Sequence, residues 1–267
     1  MSYIHPSMTT PPTMEDQLHL FSAGSMNNDK FKNLWVQGAA LFIPQLNRLL
    51  DLADAPFNVV SIDEFQNNCI ELGNTFVRNR TDKAGYHYHI LYSYIINRLG
   101  GQNAKINLLE IGMGTNNEDL VSSMGWNGRP GASLYAFREY LPNAMLYGCD
   151  IDRAILVDSE RIKTCYVDQM DATTFDQMVQ YFGESTKYDL IIDDGLHSMG
   201  ANFNTLLFAL EHVADNGWIV IEDIQTHHRT NWRAIDYIMN SELMKTRFET
   251  FRVQSSGGFM YVVHKIG

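Results

Sequence analysis

Basic side chains are scarce. Lysine and arginine number 20 against 31 aspartates and glutamates, a formal net charge of −11. A surface of that sign repels phosphate backbones and anionic lipid, so neither nucleic acid nor a membrane is an expected partner. Long apolar runs are missing too. None approaches the ~20 residues that a membrane-spanning helix needs, and Met1–Thr13 holds no apolar stretch of the kind a secretory leader carries. The expectation is a cytoplasmic protein. Cysteine is limited to Cys69, Cys149 and Cys165, with no CxxC. That excludes a disulfide framework and fits small buried residues in a reducing compartment. Hydrophobic side chains, by contrast, make up 45% of the chain, enough for a full core.

The first 80 residues read as a helical N-terminal extension and residues 81–267 as the catalytic domain. Residues 1–13 form a polar tail. Met14 to about Ala53 has helical spacing, with a kink or split at Pro44. Ser61 and Glu64 form a capping box, and the helix it opens is predicted to end at Gly73. A further helix spans about Tyr86–Leu99. Beyond it, short apolar strands alternate with amphipathic helices. Strands are predicted near Ile106–Ile111, Met145–Cys149, Thr164–Val167, Leu190–Asp193, Trp218–Ile221, Glu249–Val253 and Met260–His264. Helices are predicted near 133–140, 174–182, 200–213 and 230–243. Such alternation means right-handed crossovers and a mostly parallel sheet. Only Gln254–Gly258 separates the last two strands, which suits a hairpin. The expected fold is therefore α/β: a Rossmann-like, doubly wound, seven-stranded sheet with its last strand antiparallel.

The first of these strands runs into Glu110-Ile111-Gly112-Met113-Gly114. Glycines there let the backbone approach a ligand. Glu110 stands inside an otherwise apolar strand, and a buried carboxylate needs a partner that a cationic amino-acid ligand would supply. The third glycine of a dinucleotide fingerprint is missing, since Thr115, Asn116 and Asn117 follow Gly114. Asp150 ends the next strand, where an acid can accept hydrogen bonds from ribose hydroxyls, whereas Asp152 suits a cap. The long segment Thr115–Gly131 is a candidate lid in which Trp126 and Arg129 could close, or else a plain surface loop.

These features resemble the class I S-adenosylmethionine-dependent methyltransferases. The resemblance implies that Gly112 and Gly114 line the S-adenosylmethionine pocket, that Glu110 and Asp150 bind the cofactor, and that Asp168–Asp171 sits where the adenine is contacted. Gln169 would reach the adenine edge, although Asp168 and Asp171 suit loop caps nearly as well.

The strongest chemical signal is Asp193-Asp194-Gly195-Leu196-His197 together with Glu222-Asp223, two acidic pairs that end successive strands. Ligands of doubly wound sheets sit beyond the carboxyl ends of the strands. Four carboxylates gathered there are costly unless protons or a cation relieve them. A hard divalent ion is the natural answer, and Mg²⁺ takes few carboxylates while keeping several waters. Any one of these acids equally suits a helix cap. Glu222 and Asp223 can share an ion only if the strand ends or twists between them. His197 precedes a predicted helix over the same strand ends, and imidazole suits proton transfer near neutral pH. His227 and His228 line the mouth or an exposed loop, and His87 and His89 are poorly spaced for a metal.

Together these motifs resemble the magnesium-dependent sugar O-methyltransferases of macrolide pathways, with a more distant likeness to the cephalosporin-hydroxylase group. That family carries Asp-Asp-Gly-Ser-His before a Glu-Asp pair. Thr81-Asp82-Lys83 ahead of Tyr86 and Gly131-Ala132-Ser133-Leu134 through Pro142 are also similar to it, so the likeness runs from about Thr81 to Thr226. It implies Asp194, Glu222 and Asp223 as metal ligands, His197 as general base, and Ser133, Gln169, Asp171 and Asp193 beside the cofactor. Leu196 departs from the family serine and removes a hydroxyl next to the base.

The implied reaction is in-line methyl transfer to a hydroxyl of a sugar, polyol or sugar-containing small molecule. A metal-independent methyltransferase, a hydroxylase-like relative and a non-catalytic cofactor-binding module remain alternatives; an NAD-dependent oxidoreductase is disfavoured by the missing glycine. Tyr86, Tyr88 and Trp232 suit sugar stacking or core packing equally. The apolar N-terminal helices are candidates for a homo-oligomer contact or a cover over the acceptor pocket.

Overall fold

The computed structural model describes residues 42–256 and 258–267. The chain divides into two compact units, the first ending at Asp54 and the second running from Ala55 to Gly267. In the first, residues 42–52 form a helix (α1) that includes Pro44. The rest of the helical stretch expected from Met14, and the polar tail before it, lie outside the described residues. The division after Asp54 precedes the boundary at residue 80 that the sequence pattern suggested.

The second unit is one eight-stranded sheet with helices on both faces. Its strands are β1 (Val60–Ser61), β2 (Asn107–Ile111), β3 (Met145–Asp150), β4 (Ile162–Tyr166), β5 (Tyr188–Asp193), β6 (Val213–Ile224), β7 (Phe248–Ser255) and β8 (Gly258–Lys265). Their order is β1-β7-β8-β6-β5-β2-β3-β4. β8 runs antiparallel to β6 and β7, and the other pairings are parallel. The expected terminal hairpin is therefore present. The addition is β1, a two-residue strand that pairs Val60 with Val253 on the sheet edge. So short a strand carries no alternating pattern for a sequence to reveal.

The helices are α2 (Ile70–Asn79), α3 (Tyr88–Arg98), α4 (Ala132–Tyr140), α5 (Thr173–Phe182), α6 (Met199–His212) and α7 (Arg229–Met239). Alternate residues of each central strand face opposite cores. Leu108, Leu190, Ile192 and Val220 join α2, α3 and α4 on one face. Leu109, Ile111, Ile191 and Ile219 join α5, α6 and α7 on the other. Strands buried on both faces read as continuous apolar runs, which is why they stood out in the sequence.

The capping box at Ser61 opens only a 3₁₀ turn, Ile62–Phe65, with Ser61 Oγ accepting the Asp63 N–H at 3.2 Å. The helix does not continue to Gly73, which lies inside α2. A Cβ there would meet the His89 ring at 2.9 Å, so this glycine admits a neighbouring side chain where a C-cap was expected. Trp232 is fully buried against Tyr261 and belongs to the core. None of the described helices is long and apolar enough to cross a membrane.

Candidate active site

The carboxyl ends of β2, β3 and β5 open onto a cavity of about 310 Å³ lined by Gly112, Gly114, Asp150, Asp168 and Leu196. Gly112 and Gly114 adopt φ of +90° and +77°, a region that glycine enters freely. Each glycine admits protein rather than leaving space. A Cβ on Gly112 would meet the Asp194 carbonyl oxygen, and one on Gly114 would meet the Met124 sulfur at 2.4 Å. Asp150 is buried at the end of β3, and its two oxygens accept the Met113 and Asp152 N–H groups at 2.8 Å each. Burial raises its pKa, while those N–H donors work in the opposite direction. Each oxygen keeps a lone pair for a further donor from the cavity.

Several residues expected at the cofactor are held by protein partners. Asp193 is fully buried and accepts from Gln169 Nε2 at 2.8 Å, Asn202 Nδ2 at 3.1 Å and Gly195 N at 3.3 Å. Gln169 borders the cavity, but both amide hydrogens are taken, by Asp193 and Thr205 Oγ1, and its oxygen accepts the Leu196 N–H at 2.7 Å. It fixes the acidic loop, with both amide hydrogens engaged and one lone pair left on its oxygen. Asp171 is exposed and accepts from Thr173 N at 3.0 Å, the cap that was its other reading. Ser133 donates to Glu110 at 2.6 Å. Glu110 is fully buried, and its second oxygen stands 3.6 Å from the Lys83 ammonium.

The acids at the ends of β5 and β6 divide into two groups. A register shift lies between Ile221 and Ile224, and Asp223 there has φ of +52°. This bulge interrupts the alternation of β6, so the strand does twist between the two acids. Asp194, His197 and Asp223 come together, each offering one ligand atom within 4.8 Å of the others. His197 Nε2 is 3.9 Å from Asp194 Oδ1 and 3.8 Å from Asp223 Oδ2. Ser198 caps α6 through the Ala201 N–H, which fixes the backbone directly after His197. Glu222 is fully buried and lies outside this group. One of its oxygens pairs with Lys83 Nζ at 2.5 Å and the other accepts the Tyr92 hydroxyl.

The two clustered carboxylates are each tied back by one oxygen. Lys83 Nζ is 2.5 Å from Asp194 Oδ2, and the Tyr88 hydroxyl donates to Asp223 Oδ1. The other oxygens face His197. Burial raises the Asp194 and Glu222 pKa values, with Lys83 opposing the rise. Burial opposes the Lys83 charge, yet Asp194, Glu222 and Glu110 together hold the ammonium well above the ordinary lysine value. Burial, with Glu222 and Asp223 beside it, also pushes the Tyr88 phenol up, which keeps it a donor.

Sequence reasoning named Thr81-Asp82-Lys83 only as a likeness and gave Lys83 no place among the acids. Its position follows from local geometry. α2 ends on Arg80 at φ of +63°, and Thr81 caps the turn Asp82–Ala84, which leaves Lys83 only 1% exposed. The available signal was the demand for a cation near four carboxylates, and a lysine meets it as a metal does.

A second, wider cavity of about 880 Å³ borders Arg80, Thr81, Arg129, His197 and Asp223. It shares Gly112, Gly114, Asp194 and Leu196 with the first. Trp126, in the loop beside it, is 82% exposed, and Arg129 donates to the Asn79 carbonyl and stands over the Tyr135 ring. His227 and His228 pack ring to ring beyond β6 and do not border this cavity.

No family model matches the chain. Over 126 residues it is 35% identical to mycinamicin VI 2''-O-methyltransferase of Micromonospora griseorubida, covering 47% of this chain and 29% of that protein. Over 159 residues it is 30% identical to 8-demethyl-8-(2-methoxy-alpha-L-rhamnosyl)-tetracenomycin-C 3'-O-methyltransferase of Streptomyces olivaceus, covering 58% and 37%. The matches thus span well under half of either relative. Among solved structures, the MycE methyltransferase of the mycinamycin pathway, in complex with Mg, SAH and mycinamycin VI, matches with a TM-score of 0.56 and 22% identity over 73% of this chain and 54% of that one. The fold is the Rossmann-like fold of class I S-adenosylmethionine-dependent methyltransferases, and the chain is similar in sequence to their macrolide and polyketide sugar O-methyltransferases.

Proposed function

We propose that this protein is an S-adenosylmethionine-dependent O-methyltransferase that acts, with Mg²⁺, on a hydroxyl of a sugar or sugar-containing small molecule. The observation that carries the proposal is the meeting of Asp194, His197 and Asp223 on the wall of the wider cavity, with Asp194 bordering both cavities. The sugar is supported by the relatives, among them O-methyltransferases of a rhamnosyl-tetracenomycin and of L-olivosyl-oleandolide.

The residues fit a hard divalent ion. Asp194 and Asp223 each have one oxygen held by Lys83 or Tyr88 and one turned to the cluster. Two carboxylate oxygens beside an open cavity suit Mg²⁺, which holds few protein ligands and several waters. Glu222, the third ligand that the resemblance implies, has one oxygen on Lys83 and the other on the Tyr92 hydroxyl, and each oxygen keeps a further lone pair. When bound, the ion supplies positive charge that lowers the pKa of the hydroxyl to be methylated.

This chain's own groups do the rest. Asp150 accepts from the ribose hydroxyls, and the turn through Gly112 and Gly114 borders the cofactor. His197 has its Nδ1 buried, which leaves Nε2 as the nitrogen facing the carboxylates. Nε2 takes the acceptor's proton, and Asp194 and Asp223 stabilise the imidazolium that results. Alignment of the accepting oxygen with the methyl group supplies much of the acceleration.

The test is transfer of labelled methyl from S-adenosylmethionine to a panel of macrolide and polyketide glycosides. His197→Ala should lower the rate by about 10²- to 10⁴-fold, and EDTA should stop it until Mg²⁺ is restored. Undiminished rates in both cases would sink the mechanism.

A further inference from the structure

Two of the three cysteines lie side by side. Cys149 in β3 and Cys165 in β4 are register partners on neighbouring parallel strands. Both belong to the core face that packs on α5, α6 and α7, and their Sγ atoms are 3.6 Å apart. Cys149 is fully buried, whereas Cys165 is partly exposed. Cys69 sits in the core on the opposite face of the sheet.

We propose that Cys149 and Cys165 form a reversible dithiol, oxidised to a disulfide across β3 and β4 that weakens cofactor binding in the cavity beside it. The geometry suits the bond. Neighbouring strands stand about 4.7–4.9 Å apart, within the roughly 4.4–6.8 Å that separates the Cα atoms of a disulfide. The sulfurs have only to close from 3.6 Å to about 2.05 Å. β4 ends the sheet and is hydrogen-bonded on one side alone, so it has room to follow.

Hydrogen peroxide is the oxidant that the chemistry requires. The Cys165 sulfur, the more accessible of the two, attacks one peroxide oxygen; the O–O bond breaks, a sulfenic acid forms and water leaves. The Cys149 sulfur then attacks the Cys165 sulfur. The S–O bond breaks, and the hydroxide leaves as water with the Cys149 proton. Two thiols have lost two electrons, and one peroxide has been reduced to two waters. Burial pushes the Cys149 thiol up, which suits it to this second step rather than the first. A dithiol reductant reverses the bond by exchange.

The link to the cofactor lies in the backbone. Cys149 borders the smaller cavity, and its carbonyl accepts the Gly112 N–H at 2.8 Å. Asp150 follows it directly, and the Asp150 carbonyl accepts the Val167 N–H at 3.1 Å just beyond β4. Drawing the two strand ends together therefore shifts both the glycine turn and the ribose acid. This consequence rests on the reading of that cavity as the S-adenosylmethionine site; the bond itself does not.

The test treats the full-length protein with hydrogen peroxide, blocks remaining thiols and maps the peptides by mass spectrometry. A Cys149–Cys165 disulfide, two hydrogens lighter, should form with Cys69 left free, and dithiothreitol should reverse it. By calorimetry the oxidised protein should bind S-adenosylhomocysteine about tenfold more weakly or worse, and saturating S-adenosylhomocysteine should slow the oxidation in return. Cys165→Ala should form no bond, bind S-adenosylhomocysteine as the reduced wild type does, and keep that affinity after peroxide.

Oxidation that stops with added oxygen on Cys165 or Met178, whose Sδ is 3.0 Å from Cys149 Sγ, would overturn the proposal. So would a disulfide that leaves the affinity unchanged, or an equal loss of affinity in peroxide-treated Cys165→Ala. If the reduced wild type binds no S-adenosylhomocysteine, the cofactor reading fails and the control of binding with it, while the peptide map still decides the pairing.

Discussion

Gly112 and Asp194 are in backbone contact: a Cβ on Gly112 would lie 2.2 Å from the Asp194 carbonyl oxygen. The Asp194 N–H in turn donates to the Ile111 carbonyl at 2.8 Å. The glycine turn after β2 and the acidic loop after β5 therefore form one rigid piece, and cofactor and metal chemistry share a frame. Gly112→Ala should break it. The combined strain of φ at +90° and a backbone clash should cost about 2–4 kcal/mol. Urea denaturation checks the cost, and binding of S-adenosylhomocysteine should fall with it. A variant of native stability would mean that the two loops are not in contact.

Asp193 serves the same frame from below. With an amide in place of its carboxylate, one position that now accepts from Gln169, Asn202 or Gly195 becomes a donor facing a donor. Asp193→Asn should therefore destabilise the protein by about 2–4 kcal/mol. Thermal unfolding measures this. If stability were unchanged and only cofactor affinity fell, Asp193 would be a ligand after all.

Asp171→Ala separates cap from ligand in the opposite sense. The variant should lose about 1 kcal/mol of stability and keep the affinity for S-adenosylhomocysteine. A marked loss of affinity at native stability would restore the adenine role expected from sequence.

Burial pushes the Glu110 carboxyl up to about 7, although Lys83 and Ser133 oppose the rise. Between the ordinary carboxylate range and pH 7, the metal-free folded protein thus keeps a proton that the unfolded chain has released. The stability from this site is complete below that window and is lost as pH rises through 7. Its size is on the order of 3 kcal/mol. Denaturation across pH 4.5–8 in EDTA should show a decline that flattens in Glu110→Gln. An equal decline in that variant would assign it to other groups.

The sequence carried the sheet because its strands are buried on both faces and read as plain apolar runs. β1 escaped because two residues have no periodicity. Ser61 was a true cap, but of a 3₁₀ turn, since the capping pattern signals only that a helical turn begins. In the site, Asp150, Asp194, His197 and Asp223 were legible as polar residues ending apolar strands or lying just beyond them. Which way each one faces was not. Asp193, Glu222 and Glu110 end or flank the same strands and turn inward, because alternation, one bulge and the reach of Lys83 decide direction. Lys83 is far from the acids in sequence, and only the packing of α2 and α3 on the sheet brings it to them.

Calorimetric titration with S-adenosylmethionine in the presence of Mg²⁺, with NADH as control, tests the account most directly. Micromolar binding of S-adenosylmethionine, weakened in Asp150→Ala and with no response to NADH, is the predicted result. No binding of S-adenosylmethionine, or binding of NADH alone, would contradict it.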